Sequence, residues 1–213
     1  MTKRTLIALF SSIALVAGAL SVAGAADKPR QLSLESKPWK GDFDKMLERR
    51  MIRVLVPYSR TLYYVDKGRE RGVTAELVRD FERHLNQKYA KQLGKRPLTV
   101  YLIPTTRDRL FPALNEGLGD ISVGNLTATE ERLKVVDFVA PRDQKPMQEL
   151  IVTGPKSPAL ATLDDLSGKT IHVRPATSYY ESVLALNERF KQAGKAPVTI
   201  VRLSDALEDE DKL

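Results

Sequence analysis

The chain is expected to fold as an α/β protein, and three observations predict this. Short β-rich runs alternate with stretches of helical period. The alternation lapses once, in a passage rich in Pro and small residues over 154–162, and then resumes, as it would between two lobes. No cysteine occurs, so disulfides are excluded and the fold must rest on a packed core. Strands separated by helices pair in parallel, because a helical crossover returns the chain to the same end of the sheet.

The elements follow in order. Residues 52–56 form a β-rich run closed by Pro57, and 62–65 a second extended piece ended by the turn-like Asp66-Lys67-Gly68. Val73, Leu77, Val78, Phe81 and Leu85 recur at helical spacing; Thr74 can cap that helix, and Gly94 and Pro97 stop it. Residues 98–103 read as a strand, 108–116 as a helix with Leu110, Phe111 and Leu114 on one side, and 120–123 as a third strand. A short helix at 129–134, an extended piece at 135–139 and a strand at 149–152 complete the first part. Beyond the passage come a strand at 170–173, a helix at 178–193 and a strand at 198–203. The right-handed crossovers place 52–56 at the centre of the first sheet, flanked by 98–103 and 120–123. Two strands and one helix cannot cover both faces of a parallel sheet, so the second lobe is expected to be truncated, leaving Ile171, Val173, Ile200 and Val201 exposed.

At the N-terminus, Lys3 and Arg4 precede an apolar run over 6–22 and the small-residue exit Ala23-Gly24-Ala25, the order of a cleaved signal peptide. The division expected is a signal peptide at 1–25, a leader at 26–50, lobe one at 51–153 and a partial lobe two at 154–213. Export implies the periplasm. The formal net charge of +7, from 34 Lys plus Arg against 27 Asp plus Glu, is scattered rather than striped, which with the export signal argues against nucleic acid as a partner. Catalysis has little footing. No cysteine nucleophile is present, His84 on a helix and His172 in a strand lack metal-ligand spacing, and the acidic run 208–211 is adjacent rather than periodic. No catalytic residue, cofactor or metal is expected.

Three ordered phrases carry a resemblance: Arg109-Leu-Phe-Pro-Ala-Leu-Asn-Glu-Gly-Leu-Gly-Asp120, Asn125-Leu-Thr-Ala-Thr-Glu-Glu-Arg132 and Val136-Asp-Phe-Val-Ala-Pro141. Together they resemble the signature of the family-3 periplasmic solute-binding proteins, with Gly72-Val-Thr-Ala-Glu76 before and Ala176-Thr-Ser178 after extending the likeness over residues 50–213. Within that family, Ile52-Arg-Val-Leu-Val-Pro-Tyr-Ser-Arg60 and Val173-Arg-Pro-Ala-Thr-Ser-Tyr-Tyr-Glu181 look most similar to the sensor-like N-terminal domain of proteins like membrane-bound lytic murein transglycosylase F. The resemblance implies a two-lobed periplasmic-binding fold of type II. It implies either a monomeric receptor that hands a small carboxylate-bearing solute to an ABC permease, or a ligand-sensing domain of a peptidoglycan lytic enzyme. A scaffold of this family turned to catalysis is a third use, with no residue here in its favour.

The same resemblance puts Arg132 where relatives clamp a ligand carboxylate, a role that suits the planar fork of a guanidinium; a surface arginine paired with Glu131 or Asp137 is the plain alternative. Asn125 and Thr127 follow the third strand, at the carboxyl edge where open α/β sheets bind ligands, though Thr127 or Thr129 could equally cap the next helix. Thr177 and Ser178 open the long helix, whose free N–H groups favour an anion or simply need a cap. Pro175-Ala176 stands where relatives often carry Gly. Receptors for ordinary α-amino acids place an acid after the first strand, whereas this chain has Pro57-Tyr58-Ser59-Arg60, which points to a more acidic or larger solute. Tyr58 and Arg60 therefore join the expected ligand residues, and Tyr63 and Tyr64 either line the cleft or pack in the core.

Overall fold

A computed structural model of the protein describes residues 37–139 and 147–205. The expected signal peptide at 1–25 and the acidic run at 208–211 lie outside these residues. The first sheet has three parallel strands in the order β4-β1-β5, with β1 (Met51–Pro57) central between β4 (Thr99–Thr105) and β5 (Ile121–Ser122), as the strand–helix order predicts. Six consecutive residues of β1, 52–57, are buried, the mark of a strand covered on both faces. On one face Ile52, Val54 and Val56 meet Val78 and Leu85 of α2 (Val73–Lys88). On the other, Leu55 meets Leu110 and Ala113 of α4 (Leu110–Asn115).

Between β1 and α2 runs a hairpin of β2 (Tyr64–Asp66) and β3 (Arg69–Arg71), turned at Lys67 and Gly68, both with positive φ. Such a two-residue turn matches the right-handed twist of the strands it joins. The pattern of β3, Arg-Glu-Arg, has no apolar alternation, so only its partner was legible. Thr74 does not cap α2. The cap position belongs to Gly72 at φ 107, where a Cβ would overlap the Leu62 carbonyl, and Thr74 is buried instead. After α2 a single turn, α3 (Ala90–Leu93), leads through Gly94 to β4.

Part of the expected leader is helical. Residues Phe43–Arg49 form α1, which buries Leu47 in the main core and packs Phe43 on Tyr89 with ring centroids 5.4 Å apart. Beneath it lies a buried ion pair. Arg53, 2% exposed in the middle of β1, donates from Nη2 to Asp120 Oδ1 (2.8 Å), to the Gly117 carbonyl (2.8 Å) and to the Trp39 carbonyl (3.1 Å). Asp120 Oδ2 accepts from the Arg53 backbone N–H at 2.8 Å and from Arg49, whose guanidinium stacks on Trp39.

A second pair of parallel strands, β6 (Thr170–Val173) and β7 (Thr199–Arg202), is joined by α6 (Ser178–Gln192). Its small core is Leu166, Val183, Leu186, Phe190 and Val198. Of the four side chains expected to be exposed here, Val173 is buried and Ile171 and Ile200 are partly buried against that cluster, leaving Val201 37% exposed. The correction has a simple cause: Val183, Leu186 and Phe190 of α6, joined by Leu160 and Leu166 from the connection before β6, form one cluster against which Ile171 and Ile200 pack. Two expected extended pieces also differ. Residues 149–152 join no ladder among the described strands, and 135–139 are irregular, the Val135 and Val136 N–H groups turning back onto the Arg132 carbonyl (3.0 Å each) instead of entering a sheet.

Both strand–helix–strand units end their helix with the same device. Asn86 receives the Leu98 N–H (2.8 Å) and donates to its carbonyl (2.9 Å); Asn187 does the same to Val198 (2.7 and 3.0 Å). The sequences around them, Leu85-Asn86 to Pro97-Leu98-Thr99 and Leu186-Asn187 to Pro197-Val198-Thr199, repeat the spacing almost residue for residue.

Candidate ligand-binding site

The site begins where β5 stops. Gly124, at φ 138, turns the chain past Pro57; a Cβ there would stand 2.6 Å from the proline ring. Asn125 follows at φ 53, and Thr129 opens α5 (Glu130–Leu133), its hydroxyl accepting from the Arg132 N–H at 3.4 Å. So short a helix is held by its cap and by the acids Glu130 and Glu131 in its first turn.

Arg132, at the end of that turn, is 8% exposed and does not pair with Glu131 or Asp137. Glu131 takes Lys134 instead. The guanidinium lies over the Phe111 ring at 5.5 Å and reaches across to α6 and the turn before it. It donates from Nε to Glu181 Oε1 (2.9 Å), from Nη1 to the Thr127 carbonyl (3.2 Å) and from Nη2 to the Ala176 carbonyl (3.1 Å). One residue thus joins the two sheets' units through charge-assisted bonds. Nearby, Ser178 Oγ donates to Glu149 Oε1 at 2.9 Å and stands 3.3 Å from Thr127 Oγ1. Thr127, Thr129, Glu149, Ser178 and Glu181 line a recess of about 540 Å³ at this junction.

Chemically, the arrangement can hold a carboxylate. Glu181 already offers one to Arg132, and the hydroxyls of Thr127 and Ser178 line the same recess, the Ser178 proton being given to a second carboxylate, Glu149. Thr177 takes the N-cap position of α6 by its backbone, its carbonyl accepting from the Tyr180 N–H at 3.2 Å, but its hydroxyl donates to the Arg174 carbonyl (2.8 Å) rather than capping.

Of the seven residues read from the sequence, the structure brings Arg132, Thr127, Thr177 and Ser178 to one junction. Asn125, Tyr58 and Arg60 are exposed and are not among the residues lining the recess. Tyr58 packs on Tyr63, centroids 5.9 Å apart, and Tyr63 is a core residue rather than a cleft residue. Glu181, Glu149 and Phe111 were missed. A glutamate one turn into a helix is ordinary in sequence, and only the closure of the chain sets it against Arg132.

Burial, with the charge of Glu70 and the neighbouring Tyr58 adding to it and Arg79 opposing, pushes the Tyr63 hydroxyl up to about 12. Below pH 10 both folded and unfolded chains carry it protonated. Between 10 and 12 the unfolded chain ionises first, so stability is expected to fall as pH rises through that window. In a spectrophotometric titration of the seven tyrosines, one should ionise near pH 12 and the Tyr63→Phe protein should lack that late step.

Two parallel α/β units joined at a polar recess, with a buried arginine reaching across, define a two-lobed solute-binding fold. Residues 52–195 match the bacterial extracellular solute-binding proteins of family 3, and the chain belongs to that family. It is 30% identical over 172 residues to the L-cystine-binding protein TcyJ of Escherichia coli (strain K12), covering 80% of this chain and 55% of that protein. It is 35% identical over 108 residues to a membrane-bound lytic murein transglycosylase F of Vibrio cholerae, covering 50% of this chain and 18% of that one. The chain therefore spans about half the length, or less, of these curated relatives. Among solved structures, the ancestral amino acid-binding protein AncCDT-1, a precursor of cyclohexadienyl dehydratase, superposes with a TM-score of 0.53 at 24% identity, over 79% of this chain and 66% of that one, a likeness of fold. The family is one of solute-binding proteins. No helix among the described residues is long and apolar enough to cross a membrane.

Proposed function

We propose that this chain binds a small carboxylate-bearing solute, amino-acid-like or a cell-wall peptide, in the periplasm and presents it to an inner-membrane ABC permease. The observation that carries the reading is Arg132, buried yet bonded across the junction to Glu181 and Ala176 beside the hydroxyls of Thr127 and Ser178. A solute carboxylate would replace that of Glu181 on the guanidinium, and closure of the two halves follows from contacts each half makes with the same group. The name of the cystine-binding relative supports an amino-acid-like solute. The signal-like residues 1–25 support export, and the lobes are drawn at 51–153 and 154–213. Asn125, Tyr58 and Arg60 stand on the first lobe as outer contacts for a solute larger than a free amino acid.

A second reading is favoured by the transglycosylase relatives: a ligand-sensing domain of a peptidoglycan lytic enzyme. Titration calorimetry of the chain with L-cystine, L-histidine, L-glutamate and disaccharide muropeptides separates the two. Tight binding of a free amino acid supports the receptor. Binding of muropeptides alone supports the sensor, and heat from none of them rejects the carboxylate-binding reading.

A further inference from the structure

We propose that Phe111 is a positioning residue of the site: its ring fixes the plane of the Arg132 guanidinium and so governs how tightly a solute carboxylate is held. The proposal rests on the reading of the recess around Arg132 as a carboxylate site.

A guanidinium meets a carboxylate along the edges of its plane, where its N–H groups point, and a two-bond contact needs that plane held at one angle. Two edges of Arg132 reach the second sheet's unit, Nε donating to Glu181 Oε1 at 2.9 Å and Nη2 to the Ala176 carbonyl at 3.1 Å. On its own side Arg132 rests on the Thr127 carbonyl, 3.2 Å from Nη1, and on the Phe111 ring, whose centroid lies 5.5 Å from Cζ. A hydrogen bond alone allows the plane to swing about it. The ring opposes that swing, because the negative face of the aromatic system attracts the cation.

The ring is itself held on both sides. Leu110, 0% exposed, and Ala113 pack with Leu55 of β1, which seats the first turn of α4 on the sheet and leaves Phe111 only partly buried. Phe138 meets Phe111 edge to face, with centroids 6.0 Å apart and an angle of 65° between the rings. It comes there because the Val135 and Val136 N–H groups both return to the Arg132 carbonyl, folding the chain back after α5. Phe138 braces Phe111, and Phe111 carries the guanidinium. A ring suits this place better than an acid would. It attracts the buried charge without taking an N–H, whereas a carboxylate there would compete with the solute as Glu181 does.

The test uses the whole chain and follows the Arg132 Nε–H group by NMR, its signal assigned as the one lost in Arg132→Lys. In Phe111→Leu, which keeps an apolar side chain and removes the ring, the signal should shift and its exchange with water quicken about tenfold, while Phe111→Tyr should retain the wild-type behaviour. By calorimetry with L-cystine, Phe111→Leu should bind about three- to tenfold more weakly and Phe111→Tyr close to wild type. Added to Arg132→Lys, Phe111→Leu should cost far less, since an ammonium has no plane to hold. An Nε–H signal unchanged in Phe111→Leu overturns the proposal, as does an equal loss of cystine affinity in the two backgrounds. A lowered melting temperature that Phe111→Tyr does not restore marks a packing role and overturns it too. Should the wild type take up no L-cystine, the NMR comparison still decides on Phe111, and the broader screen of amino acids and muropeptides decides separately whether the Arg132 reading stands.

Discussion

Arg132→Ala is expected to weaken binding of a carboxylate solute by about 2 to 5 kcal/mol, because a desolvated carboxylate would lose its charged partner. The side chain is 10% exposed, so water does not replace the lost bonds. Two effects add in the same direction. The solute loses the fork, and the halves lose the bond from Arg132 to the Ala176 carbonyl that links them. Arg132→Lys keeps the charge but presents a point rather than a plane, and should recover only part of the loss. Glu181→Gln is expected to act with the opposite sign. Glu181 competes for the guanidinium, and its neutral isostere should let the solute bind more tightly. Calorimetry on the four proteins reads both signs; wild-type affinity in Arg132→Ala for every solute that binds would remove the residue from the site.

Asp120→Ala is expected to destabilise the fold by about 3 to 5 kcal/mol, the range for breaking a buried ion pair by removing one partner. Arg53 would remain in the centre of β1 with its charge, and the Arg53 N–H would lose its acceptor. The carbonyls of Trp39 and Gly117 still receive Nη2, which holds the cost below that of a bare charge. The pairing itself is not what stabilises. Arg53→Met with Asp120→Leu should therefore cost less than Asp120→Ala alone, since it removes both charges and leaves apolar volume. Urea unfolding of the three proteins gives the comparison, and a double variant worse than the single one would show the pair to be stabilising in its own right.

Much of the architecture was legible because it is local. The β-rich run of β1, the helical spacing of α2 and the order of strands led to a parallel sheet with β1 at its centre, since crossover helices permit few other arrangements. The ordered phrases from Arg109 to Pro141 identified the family and singled out Arg132 before any contact was known. The repeated Leu-Asn and Pro-x-Thr spacing was equally present in the sequence, but its meaning as a helix-to-strand clamp came only with the bonds of Asn86 and Asn187. Where local pattern was the only guide, as at 149–152, an apolar run suggested a strand that joins no ladder among the described residues.

The sequence by itself determined the periods, the turns and the residue types at each edge, because these depend on neighbours a few positions apart. Tertiary structure alone decided which charges meet. Glu181, 49 positions beyond Arg132, becomes its partner, and Asp120, 67 beyond Arg53, becomes its counter-ion. An ion pair's worth depends on burial and on distance through space, and neither is written along the chain.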